Sequence, residues 1–365
     1  MAHSLKILIA CGGTGGHLFP GIAVGEALCA RGHEVMLLIS EKKVDSEASA
    51  KYAHLHFKTV PAVPKPPTFS PQMLPFLWKL WGSIRQCKMI CQEFQADAVL
   101  GMGGFTSFPP VYAGHKLGLK TFVHDSNARP GRSNVMTSRF CTRVFLGLDA
   151  AQSFFPHRET ITTGTPVRPE IMALPSREEA AALFGLDAKR PTIVVTGGSQ
   201  GARRLNELGA QAAASLPPDT QVLHIAGALD FQRVSEITAG RSGYKVLGFC
   251  DQMPSAYAVA DLVIARSGAS SMTEIAVTGH PSILVPYPYA ADDHQTRNAE
   301  VFAEAGASIL IQERDLDAEK LASLATSILQ DLPTYKRMAK AACALAVPDA
   351  ADRVCAAIEA SLSPS

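Results

Sequence analysis

Short apolar runs alternate with stretches of helical period along most of this 365-residue chain. In the first half, Leu5–Ala10, Glu34–Ile39, Leu55–Val60, Ala96–Gly101, Lys120–His124, Arg143–Leu146 and Thr160–Thr163 have the length and composition of strands. Leu18–Arg31, Gln72–Phe94 and Pro110–Leu117 read as helices between them. The second half repeats the alternation. Its strands fall at 192–196, 221–225, 244–248, 261–265, 282–285 and 307–311. Its helices fall at 202–215, 230–238, 254–258, 270–278 and 294–305, with further helices to the end. Regular βα alternation predicts parallel, doubly wound sheets, so the expected fold class is α/β with two Rossmann-like domains. Gly164–Arg168, where Gly and Pro interrupt the pattern, reads as the linker. The expected domains are therefore 1–164 and 165–345, with a terminal segment 346–365 whose helix, about Ala350–Ala360, could return to the first domain.

Several strand-to-helix junctions are glycine turns. Leu5–Ala10 runs into Gly12-Gly13-Thr14-Gly15-Gly16-His17-Leu18-Phe19-Pro20, Ala96–Gly101 into Gly101-Met102-Gly103-Gly104-Phe105, and 192–196 into Gly197-Gly198-Ser199-Gln200-Gly201. Glycines there allow positive φ and close approach of the backbone to a ligand, while the first N–H groups of the following helix favour an anionic or polar group. One such turn opens each half, which predicts ligand-facing loops turned toward a shared cleft.

Composition narrows the partners. With 34 Lys+Arg against 33 Asp+Glu there is no global field to recruit nucleic acid, so a charged ligand must be met locally. Eight scattered cysteines with no signal peptide before them read as free thiols of a cytoplasmic protein. Cys87 and Cys91 lie one helical turn apart but lack the further ligands of a zinc site. Every long apolar stretch is interrupted by charge short of the roughly 20 residues a membrane span needs.

The helix 72–94 carries both tryptophans. Leu74, Leu77, Trp78, Trp81 and Ile84 recur at helical spacing, with Lys79, Arg85 and Lys88 interleaved. Two readings stand side by side: a stripe packed on the sheet, or a helix resting on an anionic membrane surface.

Candidate chemistry sits at the carboxyl ends of the strands. After 120–124 comes the polar loop His124–Gly131. After 261–265, the sequence Arg266-Ser267-Gly268-Ala269-Ser270-Ser271-Met272-Thr273-Glu274 sets small residues and hydroxyls at a helix start, suited to a diphosphate. Glu274 lies about one turn in, where a carboxylate can accept from a ribose diol or, on the plainer reading, take part in a helix cap. Asp292–Asn298 brings His294, Gln295 and Asn298 to another helix start, suited to a polyhydroxy ligand, and offers no third ligand for a metal. His17, at a helix start where the dipole favours neutral imidazole, is the candidate base; its plainer reading is a hydrogen-bonded turn residue.

A dinucleotide-dependent oxidoreductase is the first rival. Glu41 supplies the acidic residue after the second strand, but Gly13-Thr14-Gly15 continues to Leu18 where the fingerprint needs glycine. No Gly-Lys-Ser/Thr ends either turn, which removes a P-loop. A non-catalytic sugar-nucleotide sensor is the second rival and would have no use for His17.

Gly-Gly-Thr-Gly-Gly-His at 12–17, Gly-Gly-Ser-Gln-Gly-Ala at 197–202, Arg-Ser-Gly-Ala at 266–269 with Glu274, and Gln295 with Asn298 together resemble the MurG family of bacterial glycosyltransferases, nearly end to end. The resemblance implies GT-B architecture, with the acceptor bound mainly by the first domain and the donor by the second. It implies an inverting hexosyltransferase that moves GlcNAc from UDP-GlcNAc to the 4-OH of undecaprenyl-diphosphate-linked MurNAc-pentapeptide in peptidoglycan synthesis. Another UDP-sugar-dependent GT-B transferase is the alternative. By position, Ser199 and Ser271 would meet the donor phosphates with Gln200, Ser267, Gly268 and Ala269 around them, Glu274 the ribose, and the backbone at Phe249 and Cys250 the uracil. Asn127, His294, Gln295 and Asn298 would meet the sugar, Arg168 would help hold the donor, and Thr14, Gly15, Gly16 and His17 would meet the acceptor. His17 would be the general base. Leu74, Leu77, Trp78 and Trp81 would contact the inner face of the cell membrane. No tightly bound cofactor or metal site is implied, and a divalent cation stays open.

Overall fold

Ile7, Leu8 and Ile9 are wholly buried, as are Ala98, Val99 and Leu100, so these runs lose both faces to the interior. That is the signature of a parallel sheet covered on both sides. The structure, a computed structural model, describes residues 4–42, 45, 49–61, 66, 70–198 and 202–363. The first sheet contains β1 (Lys6–Ala10), β2 (Glu34–Ile39), β3 (His56–Thr59), β4 (Ala98–Gly101), β5 (Lys120–Asp125), β6 (Arg143–Leu146) and β7 (Thr160–Thr162). Their order is β3-β2-β1-β4-β5-β6-β7, with every neighbouring pair parallel. The second contains β8 (Thr192–Thr196), β9 (Gln221–Ile225), β10 (Tyr244–Leu247), β11 (Leu262–Ala265), β12 (Ser282–Leu284) and β13 (Ser308–Leu310). It is again parallel, in the order β10-β9-β8-β11-β12-β13.

In each sheet the strand order reverses once, between β1 and β4 and between β8 and β11. At that point the two flanking connections leave in opposite directions and open a crevice beyond the strand ends. Ala10 pairs with Gly101 across the first reversal and Ala265 with Thr196 across the second. The registers therefore bring the turn after β1 beside the turn after β4, and the turn after β8 beside the turn after β11.

The chain forms two compact units, Met1–Arg168 with Val347–Ser365, and Pro169–Ala346. The boundary falls after Arg168 rather than Gly164. Thr163 and Gly164 both donate to the Leu146 carbonyl, at 2.9 and 3.1 Å, and His124 Nε2 lies 2.9 Å from the Gly164 carbonyl. These bonds tie the expected linker to the first sheet. The helix Ala350–Leu362 belongs to the first unit: Val354, Cys355 and Ile358 share a core with Ile22 and Leu28 of the first helix, Gly15–Ala30. Arg31 adds ion pairs to Asp352 at 2.7 Å and Glu359 at 2.9 Å.

Among the described residues, helices without a counterpart in the sequence reading include Arg132–Ser138 and Arg177–Phe184. The second carries a complete capping box, Ser176 with Glu179, which is visible in the sequence as Ser-x-x-Glu. The helix Met73–Phe94 settles which of its sides packs: Phe76, Ser83, Cys87, Ile90 and Cys91 are buried, while Leu74, Leu77, Trp78 and Trp81 are exposed, Trp78 to 75%. The tryptophan stripe is therefore not the packed face.

Candidate active site

In the first unit the turn after β1 is pressed onto the end of β2. A Cβ on Gly12 would stand 2.4 Å from the Ser40 nitrogen, so no other residue fits. Thr14 is the extended N-cap of the first helix, which begins at Gly15, three residues before the expected start. His17 thus lies in the first helical turn, its Nδ1 3.1 Å from the Thr14 hydroxyl. Thr14 and Gly16 are exposed and Gly15 is buried. The His17 ring rests against the turn after β4. Cβ atoms on Gly103 or Gly104 would come within about 3 Å of it, 2.9 Å from Cδ2 and 3.0 Å from Cε1 respectively. Loss of hydration and the nearby Lys42 ammonium lower its pKa to about 4, against the opposing pull of Asp45. The ring is neutral near pH 7, as a proton acceptor must be.

The loop after β5 is organised by Asp125, a buried carboxylate that accepts from the Asn127 N–H at 2.9 Å, Asn127 Nδ2 at 3.2 Å, Asn134 Nδ2 at 2.7 Å and the Gly131 N–H at 3.2 Å. Burial pushes its pKa up and these donors pull it back. The Asn127 amide nitrogen is thus bonded to Asp125. Arg168 is buried in the same unit with its guanidinium 4.2 Å above the Phe19 ring, a cation–π contact.

In the second unit Ser199 and Gln200 lie outside the described residues. The turn after β11 is well tied. Arg266 is buried, donates to the carbonyls of Val285 and Pro286 at 3.0 Å each, and pairs with Glu313. Asn298, wholly buried on the helix His294–Glu304, donates to the Ser267 carbonyl at 3.1 Å. Asn298 therefore braces the turn from behind. Gly268 caps the helix Ala269–Thr278 in extended conformation with no side-chain capping bond, leaving its first N–H groups at the turn beside Ser271. Glu274 stands in the second helical turn, so the capping reading of this carboxylate does not hold. Instead it accepts from the Tyr257 hydroxyl at 3.0 Å.

Gln295 accepts the Tyr287 N–H at 2.9 Å, and His294 Nδ1 lies 2.7 Å from the Ala291 carbonyl. Asp292 and Asp293 before them have positive φ of 53° and 55°, a left-handed pair that Asp tolerates better than most residues. After β10, Phe249 is 67% exposed while Cys250 is buried, its thiol pushed up to about 11 by desolvation. Among the described residues no group of His, Cys, Asp and Glu could hold a metal ion.

Sequence reasoning missed Tyr257, seventeen positions from its partner, and the role of Asp125 as a hub. For the second there was a local signal, since Asp with Asn two residues later is the pattern of an Asx turn.

Residues 7–146 match the glycosyltransferase family 28 N-terminal domain and residues 192–354 the family 28 C-terminal domain. The transferase of Trichormus variabilis described as UDP-N-acetylglucosamine--N-acetylmuramyl-(pentapeptide) pyrophosphoryl-undecaprenol N-acetylglucosamine transferase is 37% identical over 351 residues, covering 96% of each chain. That of Citrifermentans bemidjiense, under the same description, is 36% identical over 360 residues, 97% of this chain and 99% of its own. The chain belongs to the MurG family of glycosyltransferases. The crystal structure of Acinetobacter baumannii MurG superposes with a TM-score of 0.76 at 28% identity, over 98% of this chain and all of that one. Two parallel Rossmann-like units are the GT-B architecture of the MurG family, and the turns at both sheet reversals fall inside the two family 28 domains.

Proposed function

We propose that this protein transfers N-acetylglucosamine from UDP-GlcNAc to undecaprenyl-diphosphate-linked MurNAc-pentapeptide, the step from lipid I to lipid II in peptidoglycan synthesis. The observation that carries this reading is likeness over essentially the whole length, 36–37% identity, to relatives described as that transferase. The site chemistry agrees with it.

In this reading the helix start at Gly268–Ser271 receives the donor diphosphate, Glu274 the ribose hydroxyls, the backbone at Phe249 and Cys250 the uracil, and His294 and Gln295 the sugar, with Ser199 and Gln200 completing the phosphate cradle. Asn298 acts through Ser267. The acceptor 4-OH attacks C1 of GlcNAc as the C1–O bond to UDP breaks, inverting the anomeric centre. The His17 imidazole takes the hydroxyl proton, and the helix-start N–H groups stabilise the charge that develops on UDP. Thr14, Gly15 and Gly16 line the acceptor side of His17, and Asn127 and Arg168 border the reacting sugars.

The protein works at the inner face of the cell membrane without crossing it: Leu74, Leu77, Trp78 and Trp81 enter the headgroup region while Lys79, Arg85 and Lys88 meet anionic lipid. Among the described residues no helix is long and apolar enough to span a bilayer.

Transfer of labelled GlcNAc to the lipid-linked acceptor tests the whole reading. The full-length protein is expected to make the disaccharide lipid from UDP-GlcNAc, and His17→Ala to lose about 10²–10⁴ in turnover with donor affinity kept. Transfer only from a different UDP-sugar would place it elsewhere among GT-B enzymes, and near-normal turnover by the variant would move the base to another residue.

A further inference from the structure

The Gly12–His17 turn is held by two groups outside every motif described above. Asp45, wholly buried, accepts on a single oxygen, Oδ2, from the Gly13 N–H at 2.9 Å, the Ser40 N–H at 2.7 Å and the Ser40 hydroxyl at 2.5 Å. From the other side of the same residue, Lys42 Nζ donates to the Gly13 carbonyl at 2.7 Å. The peptide groups flanking Gly13, whose φ is +114°, thus end on a carboxylate and an ammonium, both drawn from the segment after β2. Thr106 adds a bond to the Gly12 carbonyl at 2.7 Å.

Such charge-assisted bonds are roughly twice as strong as neutral ones, and three donors on Oδ2 offset part of the cost of burying the Asp45 carboxylate, whose Oδ1 is buried without a hydrogen-bond partner among the described residues. Their placement matters more than their strength. Gly13 lies four residues before His17, and the preceding position admits only glycine, since a Cβ on Gly12 would stand 2.4 Å from the Ser40 nitrogen. Whatever fixes Gly13 therefore fixes where the helix begins and where the imidazole points. The two charges also act on the imidazole in opposite senses, Lys42 disfavouring its protonation and Asp45 favouring it. His124, the other ionisable group felt at this distance, is buried and itself held near 4. Asn134, Gly103 and Gly104 beside the ring are neutral.

We propose that Asp45 and Lys42 are positioning residues of this transferase, a charged clamp on the Gly12–His17 turn that holds the imidazole in place and balances the field upon it. The inference rests on His17 as the base. The clamp works by charge as well as by shape, and that separates it from a purely structural brace.

The test is the pH profile of kcat/KM for the lipid-linked acceptor at saturating UDP-GlcNAc, for Asp45→Asn, Lys42→Met and the double variant of the full chain. Asparagine can keep its oxygen where Oδ2 accepts while losing the charge. Removing Asp45's charge lowers the His17 pKa, so the acid limb moves to lower pH; removing Lys42's raises it, so the limb moves up. Shifts of about half a pH unit in opposite directions are expected, with the double variant near wild type. Histidine-selective NMR of the unliganded protein, with His17→Ala to identify the resonance, reads the same titration without turnover. Lys42 is exposed, so its variant folds even if Asp45→Asn does not. Limbs and resonance that stay put, or move the same way in both variants, overturn the clamp. Full activity of His17→Ala overturns the base instead, and the NMR titration then decides the clamp alone.

Discussion

The Tyr257 hydroxyl donates to the Glu274 carboxylate at 3.0 Å from a side chain only 1% exposed. A carboxylate near a helix start rotates freely unless something holds it; here the holder comes from the helix Met253–Val259, on the other side of β11 in sequence. The bond keeps one oxygen of the carboxylate in place. Glu274→Ala is expected to weaken UDP binding by about 1.5–3 kcal/mol, the range for hydrogen bonds to a charged group. Tyr257→Phe removes only the holder and should cost about 0.5–1.5 kcal/mol. Calorimetric titration with UDP checks the order; a Tyr257→Phe protein as impaired as Glu274→Ala, or not impaired at all, would contradict it.

Buried histidines make stability depend on acid. His124, His224 and His280 are each lowered by burial to about 4. Unfolded, each returns to about 6.5, so between those values the unfolded chain binds more protons than the native one. Stability is then complete above about pH 6.5 and falls as pH drops toward 4, by at most about 1.4 kcal/mol per pH unit per group. Asp125 is shifted the other way, upward by burial, and offsets His124 within the first unit. His17, partly buried and also lowered to about 4, adds to the acid sensitivity of the first unit. The unit 169–346, with His224 and His280, should lose stability more steeply. Thermal unfolding at pH 7.5, 6 and 5 resolves this if the two units melt separately; parallel midpoints across that range would be the contrary result.

The exposed stripe on Met73–Phe94 calls for a partition measurement. Trp78 and Trp81 face solvent with ring centroids 5.8 Å apart, and the Arg85 guanidinium lies 5.8 Å over Trp81. Replacing both tryptophans with serine should lower binding to vesicles rich in anionic lipid and leave turnover of a water-soluble acceptor intact. Binding by the unaltered protein should also weaken with salt, since Lys79, Arg85 and Lys88 contribute through screened charge. Unchanged partition of the double variant would remove this face from the membrane.

Much of the architecture could be read from residue order because its causes are local. Strands buried on both faces need unbroken apolar runs, as in residues 7–10, and a turn pressed on a neighbouring strand needs glycine, as at Gly12. What escaped was pairing at a distance. Nothing near Glu274 announces Tyr257, and nothing near Gly13 announces Lys42, twenty-nine positions on. The tryptophan helix was ambiguous for another reason. It bears two apolar faces, one through Phe76, Ser83, Cys87 and Ile90, the other through Leu74, Trp78 and Trp81, and periodicity alone does not say which meets the sheet.

The return of Ala350–Leu362 to the first helix makes the unit 169–346 an insertion within the other. Domains emerging from a ribosome commonly fold in the order they are made. Here the inserted unit can complete its sheet while the earlier-made strands still lack Val354, Cys355 and Ile358 over Ile22 and Leu28. The half that was begun first is thus sealed only after the inserted unit has been made. A nascent chain stopped before Ala350 holds a finished parallel-sheet unit beside a half-built one whose apolar flank stays open to water or to a chaperone.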